Sequence, residues 1–211
     1  ANTPPTNEAV AQAQPVLDAF HAAVIACGRQ PPFKPTIKLA ETAEATRYEH
    51  AARAIVLVPY DILGPARRAA MERFAAIGTL GLSGQQQYGE VFNNLLVAHE
   101  LGHWVQEVSG RPLTRWQAEY EANRMMVAFW RDHPAAAPAP ATERRLANFV
   151  AQSPETLDPV PADTGLSVEA YFNANIITIE AAPARYALFQ KMMVRDAMIE
   201  KPQPSFCQAI G

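Results

Sequence analysis

His99 and His103, four residues apart with Glu100 beside the first of them, are the residues of this chain best suited to chemistry. On a helix, positions i and i+4 lie one above the other on a single face. Both imidazoles can therefore close on one divalent cation, with Glu100 next to it. This H-E-x-x-H spacing provides two nitrogen ligands for zinc and a carboxylate to act as general base. A shuffled chain of this composition would hold the pattern with an expectation of roughly 0.01. The chemistry it points to is metal-assisted hydrolysis. A bound zinc acidifies water and polarises a carbonyl, and Glu100 takes the water proton and hands it to the leaving amine.

Two histidines do not complete a catalytic zinc site, which takes three protein ligands and keeps a further position for water. The candidates for the third lie in Glu119-Tyr120-Glu121-Ala122-Asn123. Glu119 and Asn123 share a helix face, whereas Glu121 points about 200° away from Glu119, so only one of the two glutamates can face the metal. An H-E-x-x-H helix followed by a helix carrying E-x-x-A-[ND] resembles the gluzincin metallopeptidases. Its wording is closest to the ImmA/IrrE-like and CAAX-processing-type peptidases. The resemblance covers these two helices only. It implies a zincin-like fold, a resident Zn2+ and peptide substrates. It also implies Glu119 as third ligand and Asn123 as the partner of a ligating histidine. An amide oxygen accepting the far N–H of an imidazole fixes its tautomer. The resemblance further implies a substrate lying extended beside an edge strand, for which Arg53–Tyr60 is the candidate strand, with Ser83–Tyr88 lining the cleft. For Gln85, Gln86 and Gln87 a polar surface loop is the plainer expectation. His103 is followed by no H-x-x-G-x-x-H extension, so the metzincin arrangement is absent.

A tetrahedral intermediate needs an electrophile besides the metal. Tyr171 is the expected residue, since it shares a helical stripe with Val168, Phe172 and Asn175. Tyr186, Arg185 and His133 are the alternates, and an ordinary core tyrosine is the bland role for Tyr171.

The elements that must position these groups follow from periodicity. A helix is expected from Glu8 or Pro15 to Cys27, with Val16, Leu17, Phe20, Val24 and Ile25 as its apolar stripe. Runs at Thr36–Leu39, Ala45–His50 and Arg53–Tyr60 read as a small antiparallel sheet. Helices follow at Pro65–Ile77, with Ala66, Ala69, Ala70, Phe74 and Ile77 facing inward, and at Gly89–Val108, the motif helix. Val91, Leu95, His99, Gly102 and Val105 line one side of the latter. Further helices are expected at Arg115–Asp132, Glu143–Gln152, Ser167–Glu180 and Pro183–Glu200, with a Pro/Ala loop over 133–141. Arg144-Arg145 reads as a solvated face. The fold class is α+β and mostly helical, with the sheet packed on the motif helix. Residues 1–7 read as a flexible leader. Residues 8–211 read as a single domain, with an N-terminal lobe over 8–110 and a helical C-terminal lobe over 111–211.

At 49% apolar residues the chain is globular, and a formal net charge of -3 gives no electrostatic case for nucleic acid. No apolar run approaches the length of a membrane span. The start Ala1-Asn2-Thr3-Pro4-Pro5 suits a mature terminus after signal removal, hence a secreted or periplasmic protein. There, Cys27 and Cys207 could form one disulfide; two buried thiols are the cytosolic alternative. The functional expectation is a zinc-dependent peptidase with Glu100 as general base. The alternative is a zinc-binding regulatory or interaction protein on the same scaffold with little hydrolysis, which would have no use for Glu100.

Overall fold

The computed structural model describes residues 7–151 and 159–211. Most of the expected leader and Gln152 lie outside them. Helix α1 runs over Glu8–Ala26, and Asn7, assigned to the leader, caps it by accepting from the Ala9 N–H. Pro15 sits inside this single helix. Ala9, Ala13, Val16, Leu17, Phe20, Ala23 and Val24 form its buried face, while Ile25 is half exposed. Gly28 has φ +82°, a left-handed conformation that glycine adopts without a Cβ penalty.

The sheet has three strands, β1 (Thr36–Leu39), β2 (Arg47–Glu49) and β3 (Ala54–Leu57), in the order β1-β3-β2. It is mixed, not antiparallel as expected. β1 runs parallel to β3, pairing Thr36 with Ala54 and Leu39 with Leu57, and only β2 is antiparallel to it. All four β3 residues are buried, which accounts for its uninterrupted apolar run: a central strand covered on both faces shows no alternation.

Helix α2 (Pro65–Ile77) has its expected ends but not its expected face. Only Ala75 is buried, and Ile77 is exposed. Gln85–Gln87 is not a loop. It lies in the short helix α3 (Gly84–Tyr88), opened by a capping box between Ser83 and Gln86, with Gln87 buried. The motif helix starts as a π-helical segment, Gly89–Leu95, and continues as α4 (Leu96–Ser109). The wider turn brings Glu90, Asn93 and Asn94 inward together with Val91 and Leu95. Glu90 meets Arg145, which is fully buried beside Trp130 rather than solvated. Gly110, with φ +65°, ends α4.

Helix α5 (Arg115–Asp132) opens with a capping box between Thr114 and Gln117. Helices α6 (Thr142–Val150), α7 (Val168–Glu180), α8 (Pro183–Ile199) and α9 (Phe206–Ala209) complete the chain. The main core draws on both halves of the sequence. Phe20 packs on Trp104, Phe129 and Phe206 at ring separations of 6.4, 5.0 and 4.9 Å. Each such fully buried side chain contributes about 1.5–3 kcal/mol. A disulfide joins Cys27 to Cys207 across 180 residues and fastens the end of α1 to α9. A second apolar cluster, with Tyr171, Phe172, Ile179, Phe189 and Met193, forms between α7 and α8. No described helix is long and apolar enough to cross a membrane.

Candidate metal centre

His99 and His103 project from one side of α4, and their rings stand perpendicular at 4.9 Å. Helix α5 crosses that side at unusually short range because residue 102 has no side chain. A Cβ there would lie 3.0 Å from Ala122 Cα, so the facing helix would have to give by a few tenths of an ångström. Gly102 and Ala122 thus set the spacing that carries Glu119 to the histidines. Its Oε2 lies 3.2 Å from His99 Nε2 and 3.7 Å from His103 Nε2. The three ligand atoms all lie within 4.8 Å of one another. Glu121 instead faces Arg111 on the outer side of α5.

The far nitrogens of both rings are engaged. His99 Nδ1 is 2.9 Å from Asn123 Oδ1, and His103 Nδ1 is 2.9 Å from Gln106 Oε1. Each amide is oriented by its own nitrogen. Asn123 Nδ2 donates to Gln190 Oε1, and Gln106 Nε2 donates to the Ala118 carbonyl. Their oxygens therefore face the imidazoles, each Nδ1 carries a proton, and each Nε2 is turned toward Glu119. Gln190, from α8, closes the circuit by donating to Glu119 Oε2 at 2.9 Å. Gln106 and Gln190 were not foreseen. Gln106 follows His103 by three residues and was open to the same helical argument. Gln190 comes from a distant helix with no local pattern to mark it.

These residues fit a zinc ion. Two nitrogens and one carboxylate oxygen are the donor set of a catalytic site. Ligand atoms around a tetrahedral zinc stand about 3.3 Å apart at ordinary bond lengths, close to the observed 3.2 and 3.7 Å. The electrostatics have the matching sign. Burial would lower the His103 pKa, but Glu119, and then Glu100, outweigh it and raise it to about 9. Burial would likewise raise Glu119, yet the two imidazoles hold its carboxyl well below the ordinary range. The pocket draws positive charge toward one point.

Glu100 lies on the sheet side of α4. Its Oε2 accepts the Tyr48 backbone N–H at 2.8 Å, and the Tyr48 hydroxyl donates to Glu107 two turns further along the helix. Tyr48 thereby clamps β2 to α4 beside Glu100. Burial pushes the Glu100 carboxyl up; the imidazoles and the Tyr48 N–H oppose this, and Glu119 adds to it. The strand bordering the site is therefore β2, an edge strand. Arg53–Tyr60 contains β3, which is paired on both sides and has no free edge.

The Tyr171 hydroxyl is engaged by another partner. The residue is buried in the second cluster, and its hydroxyl accepts from Arg185 Nη2 at 2.7 Å. That guanidinium also donates to the Pro159 carbonyl. His133 packs against Phe129 and Phe206 in the main core. Of the four candidates for an electrophile, Tyr186 is the one whose hydroxyl feels the charges of Glu119 and Glu100. Burial raises its phenol well above the ordinary value, and the charges of Glu119 and Glu100 raise it further. It stays protonated and able to donate.

The chain was compared with protein-family models, with curated proteins and with solved structures, and none of these matches it.

Proposed function

We propose that this protein is a zinc-dependent peptidase of gluzincin type on a zincin-like scaffold. The observation that carries the proposal is the convergence of His99, His103 and Glu119 on one point, with Glu100 beside it. A bound Zn2+ would supply Lewis acidity toward a scissile carbonyl and an acidified water. His99, His103 and Glu119 would hold it, with Asn123, Gln106 and Gln190 keeping the three side chains in place.

The chain's own groups divide the remaining work. Glu100 accepts a proton from water and delivers it to the leaving amine. The Tyr48 N–H holds one carboxylate oxygen, which orients the other for that transfer. Tyr186 donates a hydrogen bond toward the oxygen on which negative charge develops. An extended peptide laid against the outer edge of β2 would pass beside Glu100. The Cys27–Cys207 disulfide supports an oxidising compartment, hence a secreted or periplasmic protein.

The test compares wild-type protein with Glu100→Gln, both loaded with one equivalent of zinc, on a peptide library. Wild type should cleave, and Glu100→Gln should lose at least about 100-fold, the scale of general-base catalysis, with zinc content unchanged. Zinc retention with no cleavage by either protein would favour a regulatory or interaction role on the same scaffold.

A further inference from the structure

Arg115, the first residue of α5, lies one helical turn before Glu119, and its guanidinium Nη2 stands 3.8 Å from Glu119 Oε1. The side chain is half exposed, at 53%. It also pairs with Glu180 at the end of α7, so it spans the gap between the two helices beside the metal cluster. Its charge acts on the Tyr186 phenol, lowering its pKa against the stronger pull of Glu119 and Glu100. Two other arginines face away from the cluster. Arg185 binds the Pro159 carbonyl and the Tyr171 hydroxyl, and Arg111 pairs with Glu121 on the outer side of α5.

We propose that Arg115 is a specificity residue that binds a carboxylate carried by the substrate near the scissile bond. This rests on the peptidase reading and adds the substrate class. A peptide entering the site meets the carboxylates of Glu100 and Glu119, and Arg115 is, among the described residues, an arginine in contact with this cluster. One residue of extended chain spans about 3.3 Å, so a group held by Arg115, which itself lies beside Glu119, belongs to a residue near the reacting bond. A guanidinium matches a carboxylate with two parallel hydrogen bonds. The pair with Glu180 is solvent-exposed on both sides, and such pairs are worth little, so a substrate carboxylate can displace it at small cost. The carboxylate is either a free C-terminus or an Asp or Glu side chain.

The experiment measures binding by calorimetry to zinc-loaded Glu100→Gln protein, which keeps ligands intact. The probes are a short N-acetylated alanine peptide as free acid, the same peptide as C-terminal amide, and an amide carrying one Asp. At least one carboxylate-bearing probe should bind about tenfold tighter than the plain amide, and which one does so identifies the source. Adding Arg115→Gln should erase the preference. Adding Glu180→Gln, which frees Arg115, should strengthen it several-fold, an effect that a merely structural arginine would not produce. Equal binding of all three probes, or a preference that survives Arg115→Gln, overturns the proposal. The comparison of acid with amide on Arg115-containing protein stands even if Arg115→Gln fails to fold. Hydrolysis of the same peptides by wild type reports separately. A carboxylate preference without cleavage would remove the peptidase reading and leave the carboxylate site.

Discussion

Each imidazole of the cluster is held by an amide that is itself held, so the protein's own hydrogen bonds fix the arrangement of the two rings. Asn123 touches His99, and Gln190 touches both Asn123 and Glu119. Removing Gln190 frees a carboxylate oxygen and the amide that orients His99 in one step. Asn123→Ala and Gln190→Ala should each weaken zinc binding 10–100-fold in a competition titration with a chromophoric chelator, while secondary structure by circular dichroism is retained. Unchanged affinity in both variants would mean that the amide circuit plays no part in holding the ligands. The pairing of His99 with His103 was readable from spacing, because i and i+4 on a helix is a geometric statement, and Glu119 and Asn123 came from the resemblance. Gln190, on a distant helix, had neither guide. Tyr171 was favoured over Tyr186 from a helical stripe that is real and buried but faces Phe189 and Arg185. Both tyrosines belong to the second apolar cluster, and a periodic stripe identifies the inner side of a helix without saying which polar partner a hydroxyl meets there.

At the level of elements, the contact between α4 and α5 depends on Gly102. Its place inside a helix costs about 1 kcal/mol of propensity relative to alanine, yet a methyl group there would meet the backbone of Ala122. Gly102→Ala should therefore destabilise the fold by about 1–3 kcal/mol despite its better propensity. It should also lower zinc affinity, because Glu119 would move with the displaced α5. Urea denaturation and the chelator titration read the two effects, and a stabilised variant with native zinc affinity would contradict this account of the crossing. Helix positions and two of the three strands were close to expectation, since length and periodicity are local properties. Strand direction is not local, so β1 was expected antiparallel and is parallel to β3. The buried Arg145 was misjudged for a related reason. Its partner Glu90 lies 55 positions away on a π-helical turn that places polar groups inward, and no window of sequence around Arg145 contains that information.

Over the whole molecule, the disulfide and the His99–His103–Glu119 cluster lie in different regions. Cys27–Cys207 closes a loop of 180 residues at the aromatic core around Phe20 and Phe206, whereas the cluster sits where α4, α5 and α8 meet. The double variant Cys27→Ser/Cys207→Ser should lose about 2–5 kcal/mol of unfolding free energy and still bind one zinc with native affinity. Loss of zinc binding would show that the two regions are coupled. The central claim is that His99, His103 and Glu119 bind a single divalent cation, and X-ray absorption at the zinc edge on zinc-loaded protein tests it most directly. The account predicts one zinc per chain, bound only by nitrogen and oxygen at about 2.0–2.2 Å, with the scattering signature of two imidazoles that is lost in His103→Ala. A protein that retains no zinc, or a zinc environment unchanged when His103 and Glu119 are both replaced, would contradict it.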